Sequence, residues 1–122
     1  MATIKAFTDE GQSRKLAEFL HHESADMYWF RQIDSDYYPP NVESIYPLPL
    51  FKDGKEDFNY DIPCWSLAAL LDVLPNGIVM NKDSQTGKYH FSSTYIGTHI
   101  TAGNPIDACV EMIIKLHEMN LL

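Results

Sequence analysis

Apolar residues fall into four separate patterns along this chain, and three of them have helical spacing. Leu67, Leu70, Leu71 and Leu74 stand at i, i+3, i+4 and i+7, one stripe of a 3.6-residue repeat, with the strong helix formers Ala68 and Ala69 between them. The stripe sits inside Ile62–Asn76, which has Pro63 near its start and Pro75 near its end. Proline is tolerated in a first turn and ends a helix elsewhere, so the segment reads as a short core helix capped by Cys64 or Ser66. Asn76-Gly77 then supplies residues that reverse the chain. Trp65 is its largest apolar anchor.

A first helix is expected from near Thr8 or Ser13 to about His22, with Leu16, Phe19 and Leu20 as its stripe. Gly11 favours a late start or a weak first turn. Met27–Phe30 reads as a short buried strand or as a further helical turn. The last helix has the clearest start: Asn104 as N-cap, Pro105 at the first helical position and Asp107 in the first turn. Ile106, Cys109, Val110, Ile113 and Leu116 form its buried stripe, and Met112 and Ile114 widen the arc. Such a wide arc means packing on two sides or a contact between copies.

Between Gly77 and Asn104 the period changes from 3.6 to 2. Ile78–Lys82 and Lys88–Tyr95 flank the turn-forming Asp83-Ser84-Gln85-Thr86-Gly87. Tyr89, Phe91 and Tyr95 take one face, and His90, Ser92 and Thr94 take the other. Ile96–Thr101 continues as a third strand or a bent extension of the second, with Gly97 at the bend. Together these elements predict an α+β domain, three helices packed on a small antiparallel sheet of two to three strands.

Residues 31–61 break every period. Four of the seven prolines lie here, interleaved with Tyr37, Tyr38, Tyr46, Phe51, Phe58 and Tyr60 and with seven acidic residues. Prolines this dense exclude a regular helix and disfavour a central strand, and the rings are too many for a disordered linker. The expectation is a long ordered excursion across the core. Long loops without secondary structure are uncommon and often functional, which makes this segment the first place to look.

The 122 residues fit one domain spanning 1–122, large enough for a single core. Seventeen acidic against nine basic side chains give a net charge of −8. Such a field repels nucleic-acid backbone and anionic lipid, so direct binding to either is disfavoured. The N-terminus has no apolar run resembling a signal-peptide core, and no window approaches a bilayer span. A cytoplasmic protein with two reduced, packed thiols at Cys64 and Cys109 is expected; a disulfide would require their helices to lie side by side.

Catalytic chemistry finds little support in the spacing. His22-Glu23-Ser24-Ala25-Asp26 resembles a zincin helix motif only in outline, because the second histidine is Asp26 and no third ligand follows. His90, His99 and His117 would make a credible zinc set if they met, yet no spacing enforces it. Neither cysteine has a neighbouring base, the serines lack a glycine-flanked elbow, and the glycines form no phosphate loop. No catalytic residue, metal or cofactor is therefore assigned.

Two segments, Ile62–Leu71 and Asn104–Leu116, resemble stretches in small uncharacterised proteins of gut bacteria and their prophages or mobile elements. Leu16–Leu20 with Glu23–Met27 is similar to their N-terminal part, and the likeness excludes Gln32–Tyr60. It implies a bacterial or phage-derived accessory protein and brings no activity or site residue with it. The leading expectation is a non-enzymatic interaction protein, monomeric or homodimeric, that touches a protein partner through Trp29, Tyr37, Tyr38 and Tyr46. Rings flanked by proline lose little entropy on binding. The alternatives are a small enzyme or metal-binding protein with a site near His90 and His99, and an acidic decoy of a nucleic-acid-binding protein.

Overall fold

The computed structural model describes residues 5–33, 43–49, 62–93, 97 and 99–122, with strand pairing alone for residues 30–33 and 43–49. Its elements run α1 (Glu10–Ala17), β1 (Met27–Ile33), β2 (Glu43–Pro49), β3 (Ile62–Cys64), α2 (Leu67–Val73), β4 (Ile78–Lys82), β5 (Tyr89–Ser93), β6 (His99–Ala102) and α3 (Pro105–Glu118). A single 3₁₀ turn, His22–Ser24, lies between α1 and β1. The fold is α+β with three helices, as the periodicity predicts. The strands, however, form two antiparallel sheets of three, ordered β2-β1-β3 and β4-β5-β6.

The first sheet arises where sequence patterns conflict. Met27–Phe30 begins the central strand β1, which pairs with β2 from Met27↔Pro49 to Ile33↔Glu43 and with β3 through Met27↔Cys64 and Trp29↔Ile62. Pro47 and Pro49 lie on one edge strand and Pro63 on the other, where a missing N–H costs no ladder bond. Part of the excursion is thus an edge strand; the remainder lies outside the described residues. Ile62-Pro63-Cys64 leaves the expected helix for the same reason. Helix α2 starts only after Ser66, whose side chain caps Ala69 N–H at 3.3 Å. Ser66 N–H in turn donates to Asp26 Oδ1 at 2.9 Å, which ties α2 to the entry of β1.

Helix α1 begins at a capping box: Asp9 accepts from Gln12 N–H at 2.7 Å, and the Gln12 side chain accepts from Asp9 N–H at 3.1 Å. That reciprocal pair supports a first turn weakened by Gly11. The helix ends at Ala17, five residues before His22, because Phe19 N–H bonds the Leu16 carbonyl in a tightened last turn. His22 and Asp26 therefore do not share a helical face, and the zincin-like reading has no geometry behind it.

One core joins these elements. Leu16, Trp65, Leu70, Phe91, Ile106, Met112 and Ile113 are fully buried in it. Helix α3 contributes seven buried residues and packs against α1, α2, β5 and β6. The wide apolar arc is thus covered within the chain.

Asp107, in the first turn of α3, ties the N-terminal segment and α1 to that helix. It accepts from Lys5 Nζ at 2.7 Å, from Gln12 Nε2 at 2.8 Å and from Asn104 Nδ2 at 2.8 Å. Burial alone would raise its carboxyl, but these donors outweigh burial and hold it below the usual carboxylate range. Asp9, which shares Lys5, is lowered in the same way, and Lys5 is raised despite its own partial burial. A depressed folded value adds stability above the unfolded value, and that contribution disappears as pH falls through the folded one. Replacing Asp107→Asn should therefore destabilise the protein at pH 7, and the gap to wild type should close as urea unfolding is repeated below about pH 4. Asn104→Ala, which removes the cap on Asp107 N–H, should cost about 1 kcal/mol at an unchanged urea m-value.

Candidate functional site

The outer face of the second sheet brings two imidazoles, a hydroxyl and a carboxylate together. β5 and β6 pair with His90 opposite Thr101 and Ser92 opposite His99. Phe91, Tyr89, Ile100 and Ala102 turn inward to the core below α3. Strand alternation then sends His90, Ser92, His99 and Thr101 outward, with His90 and His99 as diagonal neighbours.

There the side chains meet. His90 Nδ1 lies 3.2 Å from His99 Nε2, with ring centroids 5.2 Å apart. Thr101 Oγ1 is 2.9 Å from His90 Nδ1 and 3.0 Å from His99 Nε2. On its far side, His90 Nε2 faces Asp83 Oδ2 at 3.6 Å. Asp83 opens the β4–β5 turn, and its Oδ1 accepts from Gln85 N–H at 2.7 Å and Thr86 N–H at 3.1 Å. Those two backbone donors, and then the neighbouring His90, hold its carboxyl below the ordinary range.

His90 and His99 thus converge, whereas His117 does not join them. His117 stacks on Phe19 with centroids 3.9 Å apart and rings 8° from parallel. Among the described residues, no group of three or more His, Cys, Asp or Glu side chains is placed to hold a metal ion. The sequence could signal this pair only through the period-2 alternation of β5. The roles of Thr101 and Asp83 depend on strand register and on the turn, which no local pattern records.

Trp29 has a local structural role. It is half-buried, donates Nε1–H to Ser13 Oγ at 3.0 Å and meets Phe7 edge-on at 6.0 Å. Tyr37 and Tyr38 lie outside the described residues, as does the side chain of Tyr46. Cys64 and Cys109 are both free thiols and both buried. Burial pushes the Cys64 thiol up, against hydrogen bonds from Thr8 and Ser13, and pushes Cys109 up to about 12. Neither is a thiolate nucleophile near neutral pH.

A second feature lies at the open side of the same sheet. β4 pairs with β5 alone among the described residues, and Val79 and Met80 on it are 46% and 45% exposed. Leu71, Leu74, Pro75, Ile78, Met80 and Phe91 line a shallow cleft of about 260 Å³ beside this edge. No helix among the described residues is long and apolar enough to cross a membrane. Comparison with known proteins finds no matching family model, no matching curated protein and no matching solved structure. The two thiols should resist a disulfide-exchange reagent in the native protein at pH 8 and both react after denaturation; fast labelling of the folded state would contradict their burial.

Proposed function

We propose that the protein is a non-enzymatic interaction domain that receives an extended segment of a partner protein along β4. The carrying observation is the contrast between its sheets. In the first sheet both edge strands contain proline, a device that blocks further pairing, whereas the edges of the second sheet, β4 and β6, contain none. Of these two, β4 exposes large apolar side chains, Val79 and Met80, beside a shallow cleft lined by Leu71, Pro75, Asn76 and Gly77. Lys82 is its sole charged residue. An added strand would gain main-chain hydrogen bonds from the edge and seat an apolar side chain against Met80 and Leu71. The net charge of −8 favours a segment carrying lysine or arginine.

The same reading accommodates the tyrosines Tyr37, Tyr38 and Tyr46 as additional contacts, and an accessory role agrees with the resemblance to small prophage and gut-bacterial proteins. A catalytic reading is weaker. Asp83, His90 and Thr101 do form a carboxylate–imidazole–hydroxyl series, but they line neither this cleft nor the one of about 340 Å³ around Phe19, Leu20 and Val73.

Selection of a random linear-peptide library on the immobilised protein should enrich segments that alternate apolar residues with Lys or Arg. Binding of an enriched peptide, followed by fluorescence polarisation, should fall at least about tenfold in Met80→Glu, the size of a lost apolar anchor. It should persist when Tyr37, Tyr38 and Tyr46 are changed to Ser. The reverse result moves the contact to the tyrosines. A dimer by light scattering that Met80→Glu dissolves would mean that β4 pairs with a second copy instead.

A further inference from the structure

We propose that His90 and His99 form a binding site for a divalent late first-row transition-metal ion, zinc foremost, with Thr101 as a third donor and Asp83 as the orienting carboxylate. The site is independent of strand docking on β4 and rests on the atoms of the outer sheet face alone.

His90 Nδ1, His99 Nε2 and Thr101 Oγ1 close a triangle with edges of 3.2, 3.0 and 2.9 Å. Donor atoms about 2.0–2.2 Å from one cation stand roughly 2.8–3.1 Å apart at octahedral angles and roughly 3.3–3.6 Å apart at tetrahedral ones, so the triangle has the size of an octahedral face and opens by only a few tenths of an ångström for tetrahedral zinc. Its proton inventory points the same way. A neutral imidazole has one N–H, and the negative charge of Asp83, 3.6 Å from His90 Nε2, favours that proton on Nε2 from just beyond hydrogen-bond distance. His90 Nδ1 then presents a lone pair into the triangle, towards another imidazole nitrogen. Hydrogen bonding through the Thr101 hydroxyl engages both nitrogens and leaves the 3.2 Å nitrogen–nitrogen edge weak, whereas a cation draws on all three donors at once.

Asp83, His90 and the cation would stand in the order carboxylate, histidine, metal, the arrangement that fixes tautomer and ring orientation at many metal sites. Asp83 is itself held by the Gln85 and Thr86 N–H groups, so Oδ2 stays directed at the ring. The two histidines stand on adjacent paired strands, which fixes their separation before any ion arrives. Two imidazoles suit zinc, copper and nickel over magnesium or calcium, which prefer oxygen donors. With three protein donors, one of them a neutral hydroxyl, water completes the shell. The site therefore takes up metal reversibly and is not needed for folding.

The test is titration of the tag-free, chelator-treated full chain with zinc chloride by calorimetry. One equivalent should bind. His90→Gln and His99→Gln should each weaken binding by more than about tenfold, and Asp83→Asn by about tenfold, as for other orienting partners. His117→Gln, which alters the ring stacked on Phe19, should leave affinity unchanged. These side chains face solvent, so thermal unfolding without zinc reports whether each variant folds as the wild type does. Long-range ¹⁵N correlation spectra should show zinc shifting His90 Nδ1 and His99 Nε2 while His90 Nε2 keeps its proton. Failure of the wild type to bind zinc overturns the site, as does binding that survives both histidine changes. So does coordination through the opposite ring nitrogens.

Discussion

Burial of α3 on several sides organises the packing of the other elements. Seven of its fourteen residues are buried, and it touches two helices and two strands. A helix with so wide an apolar arc has no stable solvated face except a narrow one, so the chain must wrap it. Helix α2 covers one flank, β5 and β6 another, and α1 closes the N-terminal end through Gln12 and Asp107. Each apolar side chain removed from water there contributes about 1.5–3 kcal/mol, which makes this contact set the main source of cohesion.

The first sheet joins that core through polar groups as well as apolar ones. Thr8 is fully buried, donates its N–H to the Trp65 carbonyl and accepts from Trp65 N–H through Oγ1. Its hydroxyl also shares a 2.7 Å bond with Ser13, which in turn receives the Trp29 indole N–H. Trp65 donates its own indole N–H to Ser24. Every donor in this set has a partner, so desolvation is compensated where α1, β1 and β3 meet. Trp29 and Trp65 anchor that register from two sides.

The second sheet has the opposite character on its open side. Its inner face belongs to the core, while its outer face gathers His90, His99, Thr101 and Asp83, and its β4 edge keeps exposed Val79 and Met80. Proline lies in both edge strands of the first sheet, whereas neither edge of the second, β4 or β6, contains one.

Helical period, cap chemistry and strand alternation are local properties, readable from neighbouring residues along the chain. The three helices, the Asn104-Pro105 start of α3, the β4–β5 hairpin and the inward turn of Phe91 were all legible, because each depends on residues within a few positions of one another. The extent of α2 was not, since whether Ile62-Pro63-Cys64 continues a helix or pairs as a strand depends on β1, more than thirty residues earlier. Pro47 and Pro49 likewise fit a strand only because β2 lies at an edge, a fact of topology. The candidate site shows the same division. Alternation placed His90 outward, but its meeting with His99 and Thr101 required the β5–β6 register, and the orientation of its ring required the turn at Asp83. Tertiary structure decided these points because a 3 Å contact between side chains on different strands is set by pairing across space, and no period along the chain encodes it.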